Sequence, residues 1–120
     1  MTTRVPESML KSTVKIVVVL PGQNDTFPIL LSFPFDGTIT QVSGQTNTST
    51  ASLDLQIDDG SAADVEYVTA GSNPLSLTTT ALTDTPNAEH TFSAGDALNA
   101  ILTSATGPDA ITVEITIVED

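Results

Sequence analysis

Five acidic side chains fall within residues 54–66: Asp54, Asp58, Asp59, Asp64 and Glu66. Carboxylates gathered around a turn are the donor set that a hard cation such as calcium takes. The spacing excludes an EF-hand, because placing Gly60 at the loop's required glycine puts Leu55 and Ile57 at the first two ligand positions, and neither side chain carries a donor. Two readings stay open, a calcium site without a motif around Asp58, Asp59 and Asp64, or a hairpin turn with solvated charged flanks. The solvated turn is the expectation, and no metal or cofactor is assigned.

His90 is the only histidine and follows Glu89. A Ser-His-Asp triad is therefore arithmetically available, but the Gly-x-Ser-x-Gly signature of one such site is missing. His90 shares its parity with Phe92, as a packed or interface histidine does. One histidine and no cysteine leave neither a multi-histidine nor a thiolate zinc site, and no disulfide. Paired carboxylates could hydrolyse glycosides, yet the chain has no Trp and a single Tyr, Tyr67, to stack on a sugar ring. Neither a P-loop nor a Gly-x-Gly-x-x-Gly occurs. The expectation is a protein that is not an enzyme and works by binding.

Charge is distributed along the chain with unusual polarity. Arg4, Lys11 and Lys15 are its only basic residues, and of fifteen carboxylates only Glu7 precedes residue 25. A mildly basic arm thus leads into an acidic body, with a formal net charge of -12. That sign opposes the counterion release that drives nucleic-acid binding and opposes docking on anionic lipid, so neither nucleic acid nor membrane is an expected partner. The apolar run Ile16–Leu20 is too short for a signal-peptide core or a bilayer span, which predicts a protein made without a cleaved secretion signal.

Two-residue alternation sets the elements that must position these side chains. Phe27, Ile29, Leu31, Phe33 and Phe35 alternate with Pro28, Leu30, Ser32 and Pro34, which predicts a strand over 27–35 with its odd residues buried. Its two prolines share a parity and make it an edge strand. Ala51–Ile57 and Ile111–Ile117 read as half-buried strands, and further strands are predicted at Thr38–Ser43, Val65–Thr69, Leu75–Thr80, Glu89–Phe92 and Ala97–Thr103. Gly44–Thr50 reads as an exposed loop. Val14–Leu20 is apolar on both faces except at Lys15, as in a strand covered on both sides or packed on another subunit. Turn residues separate the runs, and no helical period exceeds about two turns. The fold expected is all-β, an antiparallel β-sandwich, jelly-roll-like, with residues 1–24 as an N-terminal arm and first strand and 25–120 as the body.

Three segments carry a family resemblance. Phe33-Pro34-Phe35-Asp36-Gly37-Thr38-Ile39-Thr40, then Leu53-Asp54-Leu55-Gln56-Ile57-Asp58-Asp59-Gly60, then Phe92-Ser93-Ala94-Gly95-Asp96-Ala97-Leu98 resemble, in this order, small β-sandwich proteins of tailed bacteriophages. The resemblance covers about residues 27–118, and Met1–Asn24 departs from it. It implies a capsid decoration or cement protein on the outside of an icosahedral shell, made in the host cytoplasm and carried on the virion. The implied partner is a major capsid protein, and the implied assembly is a homotrimer. Alternatives are a receptor- or carbohydrate-binding module of a phage tail or head fibre, and an accessory domain of a halophilic extracellular enzyme. In such proteins an N-terminal arm grips the shell, which assigns the shell contact here to Arg4, Val5, Met9, Leu10 and Lys11. The two-faced strand assigns the contact between copies to Val14, Ile16, Val17, Val18, Val19 and Leu20.

Overall fold

The computed structural model describes residues 12–60, 65–67, 75–84 and 91–120. Ten strands, and no helix among the described residues, form two antiparallel sheets. They are β1 (Thr13–Pro21), β2 (Asp25–Leu30), β3 (Gly37–Thr46), β4 (Ala51–Asp58), β5 (Val65–Tyr67), β6 (Leu75–Leu77), β7 (Leu82–Asp84), β8 (Thr91–Phe92), β9 (Ala97–Thr103) and β10 (Ala110–Glu119). The first sheet has the order β1-β10-β3-β7, with β8 also on β3, and the second has β2-β9-β4-β5, with β6 also on β4.

The first four strands alternate between the sheets, and the last two long strands return to separate them. β10 inserts between β1 and β3, and β9 inserts between β2 and β4. This winding is a jelly roll. Alternation places the core where the sequence predicts it. Leu53, Leu55 and Ile57 of β4 and Ile111, Val113, Ile115 and Ile117 of β10 are buried, facing Leu98, Ala100 and Leu102 of β9 and Val42 and Ile39 of β3. Each large aliphatic side chain buried in this way contributes about 1.5–3 kcal/mol relative to exposure.

The predicted strand over 27–35 stops at Leu30, after a register shift between Pro28 and Leu30. Beyond it the chain bonds to a turn instead of a strand. Phe33 N–H donates to Asp96 O at 2.8 Å, and Gly95 N–H donates to Phe33 O at 2.9 Å. Phe33 therefore reaches the core from a loop, stacked on Phe92 with ring centroids 3.7 Å apart, while Leu31, expected inside, is 82% exposed. The edge position of β2 agrees with the expectation from its proline.

Gly44–Thr46, expected as the start of a loop, completes β3. A Cβ on Gly44 would lie 2.7 Å from Leu77 Cδ2, so the missing side chain is the space that Leu77 of the opposite sheet occupies. Gly37 likewise sits against Phe92, whose Cζ would be 2.7 Å from an added Cβ. β7 has no counterpart among the predicted strands, and β6 ends at Leu77, giving way to a turn that reaches β7. The predicted strand residues Val68, Thr69, Glu89 and His90 lie outside the described residues.

Candidate interaction surface along the first strand

The acidic turn takes up its carboxylates locally. Asp58 Oδ1 accepts from Gly60 N–H at 2.8 Å, where Gly60 has φ 87°, and Asp54 Oδ1 accepts from Leu55 N–H at 3.0 Å. Asp64 lies outside the described residues, and for Glu66 only the backbone is described, paired with Ile57. Among the described residues no group of three or more His, Asp or Glu side chains is placed to hold a metal ion.

The first strand divides its two apolar faces unequally. Leu20 is buried and Ile16 and Val18 pack against the core of their own chain. Lys15, Val17 and Val19 point the other way, with Val17 55% and Val19 66% exposed, and Val14 is exposed near the start of the strand. Of the residues read as a contact between copies, Val14, Val17 and Val19 are thus exposed, while Ile16, Val18 and Leu20 pack inward. β1 belongs to the first sheet along its whole length, so the sandwich itself reaches back to Thr13. Lys15 Nζ stands 3.9 Å from Glu114 Oε2, both side chains well exposed.

The backbone of β1 has a matching asymmetry. Glu119 N–H donates to Ser12 O at 2.9 Å, which points residue 12, and with it the even residues of the strand, toward β10. The N–H and C=O groups of Thr13, Lys15, Val17 and Val19 consequently point to the second edge. Among the described residues no strand pairs with that edge. The other sheet edges are blunted. β2 carries Pro28 and a register shift, while β5, β6 and β7 have three residues each and β8 has two. Proline, irregularity and brevity are the devices that keep an edge from recruiting another strand. β1, nine residues long with three exposed valines, has none of them before Pro21.

The two ends of the sandwich differ in charge. At the end where the chain enters β1, Glu119, Asp120, Asp36 and Asp96 come together. Ser12 N–H donates to Glu119 Oε1 at 3.2 Å, Asp120 N–H to Asp36 O at 3.0 Å and Ala94 N–H to Asp36 Oδ1 at 2.8 Å. The opposite end carries Asp25 and Asp109 and is tied by neutral side chains. Asn24 accepts from Ala105 N–H, Asn47 accepts from Asp109 and Ala110 N–H, and Thr106 bonds to both Ser49 and Thr50. Arg4, Val5, Met9, Leu10 and Lys11, read as the shell contact, lie outside the described residues. They precede Ser12, and so join the body at its acidic end.

The outward side of the first sheet also holds a shallow groove of about 290 Å³ lined by Gln45, Thr46, Asn47, Thr79, Ala110 and Thr112. Gln45 Nε2 donates to Thr79 O at 2.6 Å across it. None of these side chains is aromatic or charged.

The fold has a known counterpart. A chain in the acidic stable capsid structure of Helicobacter pylori bacteriophage KHP30 matches with a TM-score of 0.55 at 11% identity, over 91% of this chain and 92% of that one. A chain in the structure of infectious bursal disease virus, Gx strain, matches with a TM-score of 0.49 at 15% identity, over 91% of this chain and 32% of that one. No protein-family model matches the sequence, and no curated protein does. At such identity the phage likeness is one of fold: a jelly-roll sandwich of the kind present in a phage capsid.

Proposed function

We propose that this chain is a capsid decoration or cement protein, which binds the outer surface of a viral icosahedral shell and stabilises it. The observation that carries the reading is the jelly roll shared with a chain of the KHP30 capsid, where the match spans nearly all of both chains. The counterpart is therefore about the same size, a small sandwich in its own right and not one domain of a large protein. The remaining support is physical. A body of this acidity faces solvent and resists non-specific association, while the basic arm carries Arg4 and Lys11, two of the chain's three cations, toward an acidic surface. The arm contacts the major capsid protein through Arg4, Val5, Met9, Leu10 and Lys11, and β1 brings copies together as a homotrimer through Val14, Val17 and Val19.

The test is co-sedimentation of the purified chain with shells of the virus that encodes it, prepared without this protein. Saturable binding at a fixed ratio to shell subunits, with a raised shell melting temperature, is expected. Absence of binding, together with retention on immobilised glycans, would replace this reading with that of a receptor-binding module.

A further inference from the structure

We infer that the open edge of β1 is the seat for the N-terminal arm, residues 1–11, of a neighbouring copy, so that the oligomer is held by exchanged strands. The inference rests on the preceding section only in taking the chain to be oligomeric, and needs no shell. β1 offers outward-pointing N–H and C=O groups at Thr13, Lys15, Val17 and Val19, and is the one long edge among the described strands free of a bulge and, before Pro21, of proline, with Lys15 as its single charge. Such an edge, flanked by Val17 and Val19, is a template for another chain unless something covers it.

Length, charge and direction choose the occupant. Eleven residues precede Ser12 and span about 36 Å when extended, against about 30 Å for the nine residues of β1. The arm holds Arg4 and Lys11, and its junction with the body lies beside Glu119, Asp120 and Asp36. An arm laid antiparallel on a neighbour's β1 brings its Lys11 end to that neighbour's Thr13 end, against the same carboxylates. Pro6 lacks a donor, and suits a strand whose far edge stays unpaired.

The arm of the same chain is a poor occupant. Ser12 still continues the ladder with Glu119, so the arm's own strand extends to residue 12 before any reversal can begin. Folding back onto the edge needs a tight reversal at Leu10-Lys11-Ser12, which lacks Gly, Asn, Asp and Pro and offers only Ser12 among the common turn residues. Exchange around a ring of three closes the assembly without a free template edge. An added strand keeps its far edge and its outward side chains, so the arm remains available to the shell.

Backbone amide exchange of the full chain, read residue by residue by NMR, tests this against a chain lacking residues 2–11. In the full chain the amides of Lys15, Val17 and Val19 should exchange at least about tenfold more slowly than in the truncated one. Those of Ile16 and Val18, bonded to β10, should be protected in both. Light scattering on the same samples should show an oligomer that the deletion dissolves. Val17→Pro, which removes a donor aimed at the open edge and leaves the β10 ladder intact, should also yield a folded monomer with its arm in place. Equal exchange of the odd-numbered amides in the two chains would overturn the inference. Protection that depends on the arm in a monomer would overturn it too, since the arm would then cover its own edge. An oligomer that survives both the deletion and Val17→Pro would move the contact between copies elsewhere. If the exchange is found but shells are not bound, the capsid reading fails alone.

Discussion

Replacing Gly44 by Ala asks whether the two sheets meet as closely as the structure has them. The new Cβ would stand 2.7 Å from Leu77 Cδ2 and 3.0 Å from Leu77 Cδ1, and Leu77 is fully buried. Overpacking of this kind costs about 1–3 kcal/mol. Loss of the glycine's extra freedom in the unfolded chain returns roughly 0.5–1 kcal/mol, which leaves a net loss on the order of 1–2 kcal/mol. Leu77→Ala alone opens a cavity and should cost about 2–5 kcal/mol. In the double variant the methyl group introduced at position 44 enters that cavity, so Gly44→Ala should turn neutral or mildly stabilising. The pair should then fall short of additivity by about 1–2 kcal/mol, well beyond the roughly 0.5 kcal/mol scatter of independent sites. Urea unfolding of the four chains at one protein concentration measures the cycle, since dissociation of an oligomer would otherwise enter the midpoint. Additive effects would refute the contact, and with it the reason Gly44 sits inside β3.

Deleting residues 2–12 should leave an all-β circular dichroism spectrum and abolish co-sedimentation with shells; full occupancy by the truncated chain would exclude the arm as the attachment element. Arg4→Ala with Lys11→Ala should mainly slow association with shells, and by a smaller factor at high salt, which stopped-flow binding across ionic strengths checks. Lys15→Ala should change unfolding free energy by no more than about 1 kcal/mol, because its pairing with Glu114 is solvent-exposed. Chelation of divalent cations should leave the melting temperature unmoved, and a large drop on removing calcium would make the turn around Asp58 and Asp59 a binding site.

The local pattern of the chain carries its strands where one face is dry and the other wet. Ala51–Ile57 and Ile111–Ile117 could be read from alternation alone, because side-chain direction in a strand depends only on the neighbouring residues. Asp58-Asp59-Gly60 likewise announces its turn, since a positive φ favours glycine wherever the turn lies. The polarity between arm and body needs no fold at all. The paired parity of Pro28 and Pro34 made this segment an edge, although only Pro28 lies within β2.

What tertiary structure alone decided is which residues meet across the chain. Leu31 continues the alternation of Phe27 and Ile29 yet lies exposed, because Phe33 finds its hydrogen bonds in the Gly95–Asp96 turn, more than sixty residues away. Gly44 reads as loop until Leu77 of the opposite sheet fills its place. Val17 and Val18 are the same residue type side by side, and only the packing of β1 beside β10 turns Val18 inward and leaves Val17 in solvent. The candidate surface depends on this last kind of fact. That β1 is a sheet's end follows from β10 returning to pair on one side of it, while the short strands and Pro28 close the other edges. Periodicity records which way a side chain points relative to its neighbours; it holds no record of what stands beside the strand, because that partner arrives from the far end of the chain.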